Sequence, residues 1–376
     1  MENSSKQKNI RILIMDTPIG SGHVVAAKAL KAEVEKQFVN AQILHLSTFD
    51  FLPKFLSKTF VKLYLLSLRI SPKIYAFFYK WGNKEQSTAS RDRLNGILSR
   101  LARQCIVDFS PDIAIATHAT PAGILSQLKA DGLIVNCRIY GVVTDYVMHS
   151  WWYYKEVEAY FTADMPIANI QFAAGQHVYK YGIPLRAEFA ERSSLSKVQL
   201  RERLQMPLEL KVYLLLGGGE GILPMQELII AIKGKDPDSI IVAITGHNTK
   251  LYERLVGLNI SGLRVLGFID NIKDYLAVVD CVISKAGGIS STEILAQGSK
   301  YIVYKPLMGQ EMNNALFLKN NFQVQIAENT QELAIALDCL DKSSADFPPA
   351  VASDSTERIV KEIFNLTKKH NYEYNV

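Results

Sequence analysis

The feature that most constrains this chain is a repeated alternation of short apolar strand-like runs with helix-like stretches. Residues 10–17 form an apolar run of strand length, and residues 22–38 follow with helical periodicity. Strands that are apolar along their whole length indicate a parallel sheet covered by helices on both faces. The same pattern predicts strands over 41–49, 112–118, 134–144, 159–162, 212–216, 240–245, 264–267, 281–284 and 301–304.

A length of 376 residues suggests two domains at roughly 150 residues each. Between 185 and 207 the alternation gives way to a polar, charged stretch bounded by prolines, which we interpret as the connection between them. The predicted fold class is α/β, with two doubly wound Rossmann-like domains facing a cleft. We assign residues 1–190 to an N-terminal domain and 191–376 to a C-terminal domain. A helix predicted at 354–369 should pack back onto the first of these.

Composition excludes several classes of protein. The four cysteines lie far apart and form no C-x-x-C pair, which argues against a disulfide scaffold and a structural zinc site. No stretch of 18 or more residues is apolar and free of charge, and the polar N-terminus does not resemble a secretory signal. We therefore expect a cytoplasmic protein, peripheral on the inner face of the membrane if it binds one.

Charge is distributed unequally between the two predicted halves. Residues 1–190 carry 22 lysines and arginines against 15 acidic residues, whereas the remainder carries 20 against 22. An anionic partner should therefore meet the N-terminal half.

A glycine-rich turn follows the first strand and ends in a histidine. Gly20 and Gly22 permit a tight turn, and the helix that begins there offers free N–H groups. The turn lacks the third glycine of the dinucleotide fingerprint, and no acidic residue stands near the end of the second strand. His23, which opens the helix, is a candidate general base. It is equally consistent with a histidine that caps the helix or packs on the sheet.

A second group of candidates follows the strand at 134–144. Asp145 would lie at the carboxyl end of that strand, where open α/β sheets bind ligands, and could assist the base or hold an acceptor hydroxyl. Acceptor contacts are expected at Gly22, His149 and Trp152. From these residues alone, a turn-capping Asp145 and core aromatic side chains are the favoured alternative.

Glycine-rich loops recur on the same edge of the second predicted sheet. Such loops let the backbone approach a phosphate or a sugar closely, and their repetition along one edge favours a ligand site over unrelated turns. The candidate ligand residues there are Gly217, Gly218, Gly219, Gly246, Asn248, Gly267, Phe268 and Ile269.

The most specific pattern begins at residue 283. Gly287 and Gly288 end a strand and open a helix whose N-terminus can hold a diphosphate. Glu293, about one and a half turns further, can accept hydrogen bonds from ribose hydroxyls. Gln310 and Glu311 would begin another helix and face sugar hydroxyls. The alternative makes Glu293 a partner of the helix dipole and Gln310 a cap, which does not explain their joint spacing.

These motifs resemble those of the processive diacylglycerol glucosyltransferases and monogalactosyldiacylglycerol synthases of glycosyltransferase family 28. The resemblance rests on G-S-G-H at 20–23, T-D-Y-V-M-H at 144–149, G-I-P at 182–184, S-K-A-G-G at 284–288 and G-Q-E-M-N-N at 309–314. Many bacterial members have K-P-G-G where this chain has alanine at 286. The resemblance implies a GT-B fold, a UDP-hexose donor, inversion at the anomeric carbon, no cofactor and no bound catalytic metal.

Residue roles are implied by the same resemblance. His23 would be the acceptor base, with Asp145 nearby, Glu293 the ribose ligand, and Gln310 with Glu311 the sugar ligands. The loop 267–269 would contact uracil. The diphosphate contacts would be Gly217, Gly218, Gly219, Gly287, Gly288, Ile289 and Ser290.

Residues 51–82 contain six basic residues, no acidic residue and many aromatic ones. A basic, aromatic amphipathic segment is typical of proteins that bind an anionic bilayer surface, which we favour here. The alternatives are a helix on the domain's own core and a single-stranded nucleic acid site, and we expect no nucleic acid partner. The predicted membrane residues are Lys54, Phe55, Lys58, Lys62, Arg69, Lys73, Phe77 and Trp81.

The sequence thus predicts an inverting transferase that moves glucose or galactose from a UDP-sugar to a lipid hydroxyl, with diacylglycerol as the expected acceptor. The alternatives are another lipid or a secondary metabolite as acceptor, a UDP-sugar epimerase, and a nucleotide-sugar sensor. The sequence leaves the hexose, the exact lipid, processivity and the oligomeric state open.

Overall fold

The computed structural model describes residues 9–53, 88–164, 172, 175–191, 193–219, 221–342 and 351–373. Within them lie two six-stranded sheets whose strand pairs are all parallel. The first sheet consists of β1 (Arg11–Asp16), β2 (Gln42–Ser47), β3 (Ile113–Ala116), β4 (Arg138–Val142), β5 (Val157–Phe161) and β6 (His177–Tyr179), in the order β2-β1-β3-β4-β5-β6.

The second sheet also has six strands. In both sheets the strand order changes direction beside the strand that comes first in sequence. The second sheet consists of β7 (Val212–Leu216), β8 (Ile240–Ile244), β9 (Leu263–Leu266), β10 (Cys281–Ser284), β11 (Tyr301–Tyr304) and β12 (Gln325–Ala327), in the order β12-β11-β10-β7-β8-β9. In both sheets a ligand is expected outside the carboxyl ends of the strands near that reversal.

Most α-helices of the described residues connect successive strands of one sheet. One helix lies between the two sheets in sequence, and two follow the last strand. The α-helices are α1 (Gly22–Gln37), α2 (Thr88–Phe109), α3 (Ala119–Ala130), α4 (Lys197–Arg203), α5 (Met225–Lys235), α6 (Thr249–Val256), α7 (Ile272–Val278), α8 (Gly288–Gln297), α9 (Gln310–Phe322), α10 (Thr330–Asp341) and α11 (Ser355–Glu373). None of these helices is long and apolar enough to cross a bilayer.

Burial on both faces explains why the strands are apolar throughout. In β1, Leu13 and Met15 belong to one buried cluster, while Ile12 and Ile14 belong to another on the opposite face of the sheet. Side chains alternate between the faces of a strand, so each face needs its own helical cover. The α/β doubly wound fold class expected from the sequence is confirmed.

The helix α11 covers part of the first sheet although it follows the second in sequence. Ile359, Val360 and Ile363 are fully buried in the same cluster as Ile12 and Ile14. The division into domains at residue 190 stays a prediction. Whatever the boundary, the end of the described chain contributes to the core of the first sheet.

Two edge strands and one helix were not anticipated from the sequence. The strands β6 and β12 have three residues each, too few to form a recognisable apolar run, and each pairs on one side with a longer neighbour. The predicted connection at 185–207 contains α4, whose Ser196 forms a capping box with Gln199.

Candidate active site

The carboxyl edges of the two sheets face one another, and two helix N-termini meet between them. The helix α1 begins at Gly22, where an added Cβ would lie 3.4 Å from Cγ1 of Ile289 in α8. The approach at Gly288 is closer still, because a Cβ there would lie 1.8 Å from the carbonyl oxygen of Thr144. These glycines let the two halves of the chain come together at backbone distance.

His23 lies in the first turn of α1, between the ends of β3 and β4. Its Nδ1 is 3.0 Å from the carbonyl oxygen of Thr117 and 2.7 Å from the hydroxyl oxygen of Thr144. A carbonyl oxygen can only accept a hydrogen bond, so the contact with Thr117 requires the proton on Nδ1. The lone pair of a neutral His23 is then on Nε2, which is the arrangement a general base needs.

Two further histidines surround His23. The ring of His118, at the end of β3, meets that of His23 edge-on with 4.6 Å between centroids. Burial and the charge of His23 hold the pKa of His118 well below its usual range. Burial also lowers the pKa of His149 to about 4, although the carboxylate of Asp145 acts in the opposite direction. Both histidines are therefore neutral at pH 7. His118 was not anticipated from the sequence.

Asp145 bonds across the cleft. Its Oδ1 accepts a hydrogen bond of 2.9 Å from the side-chain amide of Asn314 in α9. The same amide group donates to the carbonyl of Ala286, and its oxygen accepts from the backbone N–H of Tyr146 at 2.9 Å. The orienting contacts of His23 are thus with Thr117 and Thr144, and an assisting role of Asp145 stays a prediction. Asn314 was not anticipated from the sequence, although it lies inside the motif 309–314.

The glycine-rich loops after β7 and β8 pack directly on each other. Gly246 has φ +60°, and a Cβ there would lie 2.5 Å from the carbonyl oxygen of Gly219. The backbone N–H of His247 donates to that same carbonyl. The side chain of Asn248 caps α6 by accepting from Leu251 N. Gly219 in turn approaches Ser21, which places this loop beside the start of α1.

A flat aromatic surface lies at the outer end of this edge. The ring of Phe268 is 59% exposed and stacks on His247, with 4.6 Å between centroids and 9° between planes. Exposed rings of this kind can stack on a nucleobase. Phe268 belongs to the loop 267–269 expected to contact uracil, whereas His247 was not anticipated.

Glu293 is buried in α8 and paired with a residue of the connection between the sheets. Its Oε1 accepts from Nε of Arg186 at 2.8 Å. Arg186 also pairs with Glu188 at 2.7 Å and lies over the ring of Phe189. Burial raises the pKa of Glu293, and Arg186 opposes that rise. Arg186 was missed because it lies outside every glycine-rich motif.

The two predicted sugar ligands differ in their contacts. The amide of Gln310 donates to the carbonyl oxygen of Val147 at 2.6 Å, so it bridges the cleft. Glu311 pairs through Oε2 with Lys285 at 3.2 Å, while its Oε1 is buried without a partner among the described residues. Burial raises the pKa of Glu311, which Lys285 partly counteracts.

The structure places other predicted residues as follows. Gly287, Ile289 and Ser290 lie at the start of α8, as a diphosphate site requires. The ring of Trp152 is 2% exposed and packs edge-on against Tyr160, so it is a core side chain, in line with the alternative interpretation. The predicted membrane residues Lys54, Phe55, Lys58, Lys62, Arg69, Lys73, Phe77 and Trp81 lie outside the described residues. No metal-binding group of three or more His, Cys, Asp or Glu occurs in the part of the chain that is described.

Comparison with known families gives two matches that together span most of the chain. Residues 23–185 match the family described as monogalactosyldiacylglycerol (MGDG) synthase. Residues 212–362 match the glycosyltransferase family 28 C-terminal domain. The boundary between these matches falls in the connection that contains α4.

Curated relatives match over nearly their full length. The chain is 29% identical over 376 aligned residues to a processive diacylglycerol beta-glucosyltransferase of Bacillus licheniformis, covering 96% of each chain. It is 27% identical to the protein of the same name in Bacillus subtilis, covering 94% of this chain and 95% of the relative.

Solved structures share the fold at low sequence identity. MurG of Acinetobacter baumannii aligns with a TM-score of 0.61 at 14% identity, covering 95% of this chain and 99% of MurG. The calicheamicin glycosyltransferase CalG4 aligns with a TM-score of 0.60 at 12% identity, covering 98% of both chains. The GT-B architecture expected from the sequence is thereby confirmed.

Proposed function

The chain belongs to glycosyltransferase family 28, with the monogalactosyldiacylglycerol synthases and processive diacylglycerol glucosyltransferases, and from this premise we propose that it transfers a hexose from a UDP-sugar to the hydroxyl of diacylglycerol. The observation that carries the proposal is the position of His23. Nδ1 of His23 donates to the carbonyl of Thr117, which leaves the lone pair of the ring on Nε2. The helix α1 begins opposite the N-terminus of α8. The residues that we assign as base and as diphosphate site thus lie on the two sides of one cleft.

In the proposed reaction, Nε2 of His23 takes the proton of the acceptor hydroxyl. The acceptor oxygen then attacks the anomeric carbon as the bond to the diphosphate breaks on the opposite face. Because the glucose of UDP-glucose is α-linked, this single displacement gives a β product, in agreement with the names of the two curated relatives. We therefore favour UDP-glucose as donor and inversion as the stereochemical course.

Charge that develops on the departing UDP needs stabilisation. The N–H groups at the start of α8 and of the loop 217–219 are the groups we assign to this task, together with the positive end of the α8 dipole. Because these dipoles are fixed before the reaction, they need no reorganisation in the transition state. No cofactor and no catalytic metal enter the proposed mechanism.

We also place the protein at the membrane surface, because diacylglycerol resides there. One exposed stripe of α2 supports this placement. Leu94, Ile97 and Leu101 are 43%, 57% and 48% exposed, and their spacing of three and four residues puts them on one face. The exposed Arg93 and Arg100 flank that face. Apolar side chains bordered by basic ones suit the interface of an anionic bilayer.

The test is a measurement of UDP release with UDP-glucose, UDP-galactose and UDP-N-acetylglucosamine, each with and without diacylglycerol in anionic vesicles. We expect release that requires both UDP-glucose and diacylglycerol. Release without any dependence on lipid would indicate hydrolysis or a water-soluble acceptor. Interconversion of the sugars without release would instead establish an epimerase.

A further inference from the structure

The mechanism proposed above leaves His118, one of the two histidines beside His23, without a role. His118 lies two residues after the end of β3 and is the N-cap residue of α3. Its Nδ1 accepts a hydrogen bond of 3.1 Å from the backbone N–H of Thr120. A backbone N–H only donates, so Nδ1 of His118 carries no proton.

This contact fixes the tautomer of the ring. A neutral imidazole with an unprotonated Nδ1 carries its proton on Nε2, where it is a hydrogen-bond donor. The low pKa of His118, which follows from burial and from the neighbouring His23 and His149, keeps the ring neutral. His118 therefore presents one N–H group and no positive charge.

The Nε2–H group of His118 has no hydrogen-bond partner among the described residues. The hydrogen bond of this side chain is made through Nδ1, and the residue is only partly buried, beside His23. In a binding site, an N–H group of this kind is available to a substrate oxygen.

The two neighbouring histidines have opposite tautomers. His23 offers an acceptor at Nε2, because its proton lies on Nδ1, which donates to the carbonyl oxygen of Thr117. His118 offers a donor at Nε2, and the ring centroids of the pair are 4.6 Å apart. Two rings in edge-on contact thus supply one base nitrogen and one donor nitrogen, a combination that suits a hydroxyl group with a second oxygen on the adjacent carbon.

We propose that His118 is a specificity-determining residue for the acceptor, whose Nε2–H donates to the oxygen next to the hydroxyl that His23 deprotonates. In diacylglycerol that oxygen belongs to the ester on the neighbouring carbon. In a glycosylated lipid it is a neighbouring sugar hydroxyl or, beside the primary hydroxyl, the ring oxygen. The inference rests on the proposed transfer to a lipid hydroxyl, and it names the feature of the acceptor that the site recognises.

The variant His118→Asn separates this role from capping. Asparagine is a favourable N-cap residue, so it preserves the bond to Thr120, but its short amide does not reach the position of the imidazole Nε2. The variant His118→Ala loses both functions. We expect the melting temperature of His118→Asn to stay near that of the wild type and that of His118→Ala to fall.

The deciding measurement compares two acceptors, diacylglycerol and a long-chain primary alcohol without a neighbouring oxygen, in the same vesicles. For His118→Asn we expect kcat/KM for diacylglycerol to fall about five- to tenfold, as for one lost hydrogen bond. The value for the alcohol and the dissociation constant for UDP should not change. An equal loss with both acceptors, or no loss with either, would overturn the role of His118. If the wild type transfers sugar to neither acceptor, the proposed function itself fails.

Discussion

The proposed general base, His23, is oriented by neutral oxygen atoms rather than by a carboxylate. His23 is held by the carbonyl of Thr117 and the hydroxyl of Thr144, which come from the ends of two adjacent strands. The sheet holds both segments, since Thr117 N donates to Met15 O of β1 and Val143 N, next to Thr144, donates to Phe161 O of β5. The sheet thus holds the imidazole ring of His23 in one orientation.

Replacement of Thr144 by valine tests this orientation. The substitution keeps the shape of the side chain and removes the 2.7 Å contact with Nδ1 of His23. Because one neutral hydrogen bond is worth about 0.5–1.5 kcal/mol, we expect kcat to fall about two- to tenfold with an unchanged dissociation constant for UDP. Steady-state kinetics and calorimetric titration measure the two quantities. Thr144→Ser, which keeps the hydroxyl, should retain the activity of the wild type, and equal losses in both variants would contradict the argument.

The depressed pKa values of His118 and His149 predict how stability depends on pH. Burial lowers the pKa of His149 to about 4 from the ordinary 6.5, and that of His118 falls in the same direction. Between these values the unfolded chain binds more protons than the folded one, so the free energy of unfolding falls as pH is lowered from about 6.5 to about 4. Urea unfolding at pH 7 and pH 4.5 measures the loss.

Carboxylates also titrate in this range, so the control is the His149→Asn variant. This variant cannot take up a proton at residue 149, and its unfolding free energy should fall less between the two pH values. Identical losses in the variant and the wild type would show that His149 does not contribute.

At the scale of elements, α2 has two apolar faces with different neighbours. Leu98, Ala102 and Ile106 are buried in the core of the first half, whereas Leu94, Ile97 and Leu101 remain exposed. An amphipathic helix of a water-soluble fold has charged or polar residues on its outer face. The second apolar stripe therefore needs a function beyond packing.

Replacing Leu94, Ile97 and Leu101 together by serine should weaken binding to anionic vesicles. Each side chain removed from the interface lowers the favourable burial of apolar area, so we expect the vesicle-bound fraction to fall at least tenfold. Cosedimentation with vesicles measures it. The matched control replaces Ile230 and Ile335, which are 59% and 62% exposed in the second half. Loss of binding in the control, or its retention in the α2 variant, would refute the assignment.

In the molecule as a whole, hydrogen bonds join the segment after β4 to the helices of the second half. Tyr146 bonds Thr292 through their hydroxyl groups at 2.8 Å, and Asn314 and Gln310 bond residues of the segment after β4. The segment 144–147 therefore rests on the helix α8 that is assigned to the diphosphate. Thr144 thus lies against α8 at Gly288 and also contacts the ring of His23.

The closest point of that contact offers a direct test. In Gly288→Ala the new Cβ would lie 1.8 Å from the carbonyl oxygen of Thr144, so the two halves must move apart. We expect a loss of about 1–3 kcal/mol in the free energy of unfolding without nucleotide, a typical cost of overpacking. Gly287→Ala is the control, because nothing lies within 4 Å of a Cβ there. Equal stability of the two variants, measured by denaturant unfolding, would contradict the packing described.

The strands of both sheets other than β6 and β12 could be predicted from the sequence, as could the motifs on their carboxyl edges. Both follow from local patterns: apolar runs bounded by glycine-rich turns specify buried parallel strands whatever their neighbours are. The position of His23 at a helix start could be read in the same way.

Which residues meet depends on tertiary packing. Thr117 and His118 follow β3, Thr144 follows β4 and His23 begins α1, and Arg186 reaches Glu293 across 107 residues of chain. The hydrophobic periodicity of the sequence does not reveal such long-range contacts, because they depend on the order of the strands and on how the two halves pack. The opposite tautomers of His23 and His118 are fixed by these contacts, so the chemistry of the cleft is decided by the fold.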